Sequence, residues 1–206
     1  MKTVVVAAPK GGAGKTTITS ILAARAARDG KVAMFDLNAD QGNLGHWWTA
    51  RGEPENPRLI VDIKKIPQDV KALEASGYDW LIVDTPPLDM DVIEQAVVVA
   101  NAVVLPVRCS MFDVAVIDAV LEMCKRHRTP CAFVLSAVDS RMSKLTDQTV
   151  RALASEGTVL ASRISYRQPY IQALSIGKSG AEIDKGLEPE VDALWAEVSL
   201  LAGGHK

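Results

Sequence analysis

Apolar residues in this chain gather in short blocks separated by longer amphipathic stretches. The blocks Thr3–Ala8, Lys31–Asp36, Arg58–Ile63, Trp80–Asp84, Ala102–Val107, Cys131–Ala137 and Thr158–Ala161 are apolar and β-rich. Several run continuously instead of alternating with polar residues, the pattern of strands buried on both faces. Helical spacing fills most of the intervals, at Pro67–Ser76, Met90–Ala100, Asp113–His127, Leu145–Ser155 and Glu188–Leu201. An Ala-rich stretch from about Thr16 to Arg28 also reads as helix, ended by Asp29-Gly30. Strand–helix alternation predicts an α/β fold in three layers: a mostly parallel twisted sheet with helices on both faces. In such sheets ligands bind at the carboxyl ends of the strands. The segment Arg51–Arg58, with Pro54 and Pro57, is a surface loop too short to separate domains, so residues 1–206 are expected to form one domain.

Composition narrows the classes. With 206 residues, 48% hydrophobic and 23% charged, the chain can bury one full core. A net charge of −2 argues against coating nucleic acid with the whole surface, but leaves room for a local basic patch. Cys109, Cys124 and Cys131 have no CxxC spacing and read as buried or free thiols of a reducing compartment. The chain opens on a strand instead of a secretory leader, and no apolar run reaches about 18 residues. A cytoplasmic protein is expected.

The densest chemistry follows the first apolar block, at Lys10-Gly11-Gly12-Ala13-Gly14-Lys15-Thr16-Thr17. Glycines let backbone N–H groups turn inward around phosphate oxygens, and the following helix points its positive end at the same anion. Lys15 is placed to reach β- and γ-phosphates, and the Thr16 hydroxyl to hold Mg²⁺. A strict phosphate loop has Gly where this chain has Pro9, and a second lysine, Lys10, opens the loop instead. The whole string resembles the deviant Walker A motif of the ParA/MinD superfamily of ATPases. That resemblance implies a P-loop NTPase fold, ATP and Mg²⁺, and nucleotide binding by residues 11–17. It also implies a catalytic role for Lys10, reaching across an ATP-dependent homodimer to phosphates held by the partner.

Aspartates at strand ends supply the rest. Asp84 closes Trp80–Asp84 and is suited to orient Mg²⁺ through water; with Thr85-Pro86-Pro87 it resembles the family's Walker B segment. Asp36 closes an earlier strand and is expected to serve metal and catalysis; a turn or helix cap is the bland alternative for both. Asp36–Leu44 resembles the family's switch I stretch, Asp-x-Asp-Pro-Gln, whose second Asp is thought to position the attacking water. Asn38 stands at that position here, with Asp40-Gln41 one residue late. Either Asp40 serves, or the site lacks its carboxylate and turnover is slow, because an amide orients water without accepting its proton. The segment Leu105–Asp113 resembles the strand and loop before the family's interface helix. Ser136 stands where relatives often carry an Asn that reads adenine.

The output is less legible. Arg126, Arg128, Arg141, Lys144, Arg151, Arg163, Arg167 and Lys178 make the later half locally basic. By resemblance to ParA proteins, Arg163, Arg167 and Lys178 are candidates for non-specific DNA binding, with a ParB-like or other adaptor stimulating hydrolysis on the nucleoid. Solvated surface charge is the alternative. The last helix carries Val191, Leu194, Trp195, Val198 and Leu201 on one face, and Glu188, Glu190, Asp192 and Glu197 elsewhere. Its acidic side opposes anionic lipid, so core packing is expected instead of membrane binding. Trp47-Trp48 reads as core. The expected function is ATP-driven segregation or positioning of a plasmid, chromosome region or other cargo. A nucleotide-dependent binding module with little turnover and a metabolic enzyme of the same superfamily stand as alternatives.

Overall fold

The computed structural model describes residues 1–8, 10–38, 42–109 and 114–203. Asp40 and the loop residues Ser110–Asp113 lie outside the described residues. Strands β1 (Lys2–Val6), β2 (Val32–Asp36), β3 (Arg58–Ile60), β4 (Trp80–Asp84), β5 (Ala102–Val107), β6 (Cys131–Val138) and β7 (Thr158–Ser165) form one sheet. Its order is β3-β2-β4-β1-β5-β6-β7, and every neighbouring pair is parallel. Helices α1 (Lys15–Ala26), α2 (Asn43–Ala50), α3 (Ile66–Ala75), α4 (Met90–Val99), α5 (Val114–His127), α6 (Ser143–Glu156), α7 (Gln168–Ala173), α8 (Gly180–Ile183) and α9 (Glu188–Gly203) cover it.

Each face buries one core, and the period of two along a strand divides the side chains between them. Val4 and Val6 of β1 pack with Ile18, Trp47, Leu194 and Trp195, under α1, α2 and α7–α9. Val5 of β1 faces the other way, with Phe35, Val83, Ile93, Val120 and Leu153, under α3–α6. This two-sided burial is why the strand blocks are continuously apolar. β1 lies at the centre with β4 and β5 on either side, so the loop after β1 leaves the sheet between two crossing connections. That is where an open α/β sheet leaves a crevice at its strand ends.

Three expectations are corrected. β3 stops at Ile60 instead of Ile63. The block ending at Ala161 continues as strand to Ser165, and Arg163 sits on that strand. The expected switch loop leads into a helix, α2, which the hydrophobic pattern did not predict. The second half of β7 was not read as strand because this is an edge strand in which only Leu160 and Ile164 are buried, and its register on β6 is irregular. Its free N–H groups are covered by α9: Glu197 accepts from Ala161 (2.9 Å) and Ser162 (2.8 Å), and Glu190 from Ser165 (2.9 Å). Asp192 pairs with Arg25, and Glu188 with Arg28 at 3.2 Å. The acidic residues of the last helix therefore seal a sheet edge and fasten α1, while Val191, Leu194, Trp195 and Val198 enter the core. Among the described residues no helix is long and apolar enough to cross a membrane.

Candidate functional site

The loop joining β1 to α1 is shaped by two glycines in left-handed backbone, Gly12 (φ 77°) and Gly14 (φ 98°). Gly14 caps α1, and its carbonyl accepts the first helical N–H from Ile18 at 2.9 Å. A Cβ at Gly14 would stand 3.3 Å from Ser136 Oγ, so both φ and space favour glycine there. Ser136, buried at the end of β6, donates its hydroxyl to the Ala13 carbonyl at 2.6 Å and braces the loop from the neighbouring strands. Of the residues expected to bind nucleotide, Gly11–Gly14 lead into the N-terminus of a 12-residue helix and Lys15–Thr17 form its first turn.

Lys15 is 8% exposed and folds back onto its own loop, donating to the carbonyls of Ala8 (3.0 Å) and Lys10 (3.4 Å). Burial lowers its pKa, and the nearby Asp84 carboxylate pulls the other way. Thr16 Oγ1 donates to Asp84 Oδ2 at 2.7 Å, closing the 68-residue gap between the loop and β4. Thr85 fixes the same strand end by donating to the Val6 carbonyl at 3.1 Å. Asp84 is 1% exposed, and its Oδ1 has no hydrogen-bond partner among the described residues; the Thr19 hydroxyl beside it falls outside bonding geometry. Burial pushes the Asp84 carboxyl up to about 7, against the pull of the Thr16 bond and Lys15, with Asp36 adding to the rise. An acceptor pair in this state is a hard-oxygen site that a divalent cation would relieve, because a cation favours the carboxylate. No group of three or more His, Cys, Asp or Glu among the described residues could hold a metal alone. That fits Mg²⁺, which takes one or two carboxylates and completes its shell with waters and phosphates.

Asp36 lies beside Asp84 in the β2–β4 register. Its oxygens accept from the backbone N–H of Asn38 (3.1 Å) and Gly45 (3.2 Å), tying the end of β2 to the first turn of α2. The bland reading of Asp36 as a turn and cap residue describes these bonds. Asn38 is 8% exposed, and with Gly12, Lys15 and Thr16 it lines a cavity of about 440 Å³ over the loop. Lys10 is exposed at the loop's start. A second cavity of about 220 Å³ shares Gly14, Thr17, Arg108 and Leu174 with the first and extends under Ser136, Tyr166 and Tyr170.

The three DNA-binding candidates are all exposed but differ in setting. Arg163 projects from β7, Arg167 immediately precedes α7 and lines the second cavity, and Lys178 accepts at its carbonyl from Trp47 Nε1 at 2.9 Å. Trp47 is fully buried, as expected of core. Sequence reasoning missed Asn43, His46, Pro87, Arg108 and Leu174 in the cavity walls. Arg108 was detectable, since it directly follows β5 at the carboxyl end of a strand flanking β1. Asn43 and His46 belong to α2, whose capping Gly42 and internal Gly45 disguise it as loop.

Comparison with known proteins agrees with this geometry. The family described as the CobQ/CobB/MinD/ParA nucleotide binding domain matches residues 4–179. Maintenance of carboxysome distribution protein A of Halothiobacillus neapolitanus is 29% identical over 209 residues, covering 95% of each chain. Two solved structures share the fold at 19% identity and a TM-score of 0.73, each spanning 100% of this chain and 97% of its own: an ATP complex of a McdA variant from Cyanothece, and the MinC:MinD cell division complex of Aquifex aeolicus. The glycine loop, the strand-end aspartate bonded to its threonine and the family match over most of the chain lead to one conclusion: this protein belongs to the CobQ/CobB/MinD/ParA family of nucleotide binding domains, as a ParA/MinD-type member.

Proposed function

We propose that this single-domain chain is a ParA-type ATPase that binds ATP with Mg²⁺ and uses slow hydrolysis to switch between a dimer and a monomer. The observation that carries the reading is the 2.7 Å bond from Thr16 to Asp84 beside the buried ammonium of Lys15. The loop N–H groups and Lys15 receive the phosphates, with Lys15 exchanging its carbonyl partners at Ala8 and Lys10 for phosphate oxygens. Thr16 and Asp84, with Asp36 behind them, would hold Mg²⁺, which would supply positive charge to offset the phosphates. Lys10 of one protomer neutralises phosphate in its partner, so the dimer requires ATP. Asn38 orients the attacking water in the cavity wall without taking its proton, and Asp40 is the carboxylate that would take it. The product of the switch is positioning of cargo through an adaptor protein on non-specific DNA. The similarity to a carboxysome distribution protein supports a large cargo as well as a plasmid.

Nucleotide binding and phosphate release test the reading. Lys15→Ala is expected to lower ATP affinity at least about 100-fold, since it removes a charge-assisted contact in a desolvated loop. Asp84→Asn is expected to retain nucleotide but lose most of its Mg²⁺ dependence. ATP binding that is indifferent to Lys15→Ala would exclude this site. A binding module with little turnover is favoured by one observation, the amide at position 38; wild-type turnover that stays negligible with DNA and the adaptor would select it.

A further inference from the structure

Arg108 is the cation that the proposed machinery leaves unused. It follows β5 directly, and its Nε is buried with no hydrogen-bond partner. No ion pair to it occurs among the described residues. Two acids at the same end of the sheet are engaged elsewhere. Asp84 accepts from Thr16 at 2.7 Å, and Asp139, which shares a third cavity of about 260 Å³ with Arg108, is held by Arg141 at 2.9 Å. A guanidinium N–H buried without an acceptor costs free energy, and a fold keeps one at a cavity junction when something else supplies the acceptor.

The position says what that acceptor belongs to. Arg108 lines both the cavity over the glycine loop and the one under Ser136 and Tyr166, and the two also share Gly14 and Thr17. A ligand extending from Lys15 and Thr16 into the second cavity passes Arg108 with its middle. For a nucleoside di- or triphosphate, that middle is the α-phosphate and ribose. Guanidinium presents a planar fork matched to phosphate oxygens, where an ammonium acts as a point charge. We infer that Arg108 is a nucleotide-contacting residue, donating from the same chain to the phosphate–ribose junction of the bound nucleotide. This rests on the nucleotide reading above. Because the junction is common to ATP and ADP and the arginine belongs to the same protomer, it strengthens both nucleotides equally and without dimerisation. That separates it from Lys10, whose role depends on the partner.

Calorimetric titration of the full chain with ATP and with ADP, each with Mg²⁺, tests it in wild type, Arg108→Met, Arg108→Lys and Lys15→Ala. Arg108→Met is expected to weaken ATP and ADP by the same factor, about 10–100-fold, the range of a charge-assisted hydrogen bond. Arg108→Lys is expected to recover part of the loss. The nucleotide-free melting temperature of Arg108→Met should match or exceed wild type, whereas a purely structural arginine would lower it. Wild-type affinity in Arg108→Met, or a loss confined to ATP, overturns the assignment while leaving the nucleotide reading intact. A wild-type chain that binds neither nucleotide overturns both.

Discussion

At the scale of single residues, the site depends on groups whose environment differs sharply from water. Ser136 shows how small such a group can be. Its place in the fold is a brace, with Oγ 2.6 Å from the Ala13 carbonyl. Ser136→Ala leaves that carbonyl without its buried donor, a cost of about 1 kcal/mol. We therefore expect a several-fold loss of ATP affinity, read by titration, with a small drop in melting temperature. Lys15 and Thr16 stood out in the sequence because strand, glycine loop and helix occur within a short span, and Asp84 because it closes an apolar strand; the structure brings Thr16 and Asp84 into contact. Arg108 offered only its place after a strand, a weak signal, since one arginine there looks like any other until the cavities on its two sides are seen.

At the scale of elements, α2 connects the glycine-loop cavity to the segment that follows α7. Asn43 and His46 line the cavity, while Trp47 donates to the Lys178 carbonyl and Arg51 grips Glu182 through two bonds of 2.9 and 2.8 Å. Gly177 (φ 66°) lets the two segments meet, and a Cβ there would run into the backbone of Ala50 and Arg51. Gly177→Ala is expected to destabilise by more than about 2 kcal/mol, measured as the shift in denaturant midpoint, because the strain and the clash act together. Burial raises the Glu182 carboxyl, but the Arg51 fork and the Ser179 N–H outweigh it and bring its pKa down to about 2. A depressed carboxylate stabilises the fold above its unfolded value and loses that contribution as pH falls through the folded one. Wild-type stability should therefore decline between about pH 4.5 and pH 2. Glu182→Gln should flatten that decline, and a melting curve series across this range checks it. The contacts between α2 and this segment were not visible along the chain, since each joins residues more than 100 positions apart; only the Ser179–Glu182 bond is local.

For the whole molecule, the proposed switch needs a second copy and a polyanion. Lys10→Ala should remain monomeric in light scattering with a non-hydrolysable ATP analogue, where wild type dimerises; a dimer in the variant would remove the proposed role of Lys10. Binding to random-sequence DNA should weaken steeply with salt, and Arg163→Ala or Lys178→Ala should reduce that slope by about one unit for each phosphate no longer neutralised. Arg167 lines the second cavity, so its substitution is expected to change nucleotide affinity as well, a split that the other two should not show.

The amino-acid sequence by itself determined the fold class and the chemistry of one loop. Two-sided burial writes continuous apolar runs into each central strand, and phosphate binding requires glycines, a lysine and a threonine close together in the chain. The tertiary structure alone decided which distant groups complete the site. Parallel pairing of β1, β4, β5 and β6 brings Asp84, Arg108 and Ser136 to one end of the sheet. It also turned the acids of α9 toward the edge of β7, where they bond backbone N–H groups. Both outcomes depend on contacts between residues far apart in sequence, whose partners no local spacing encodes.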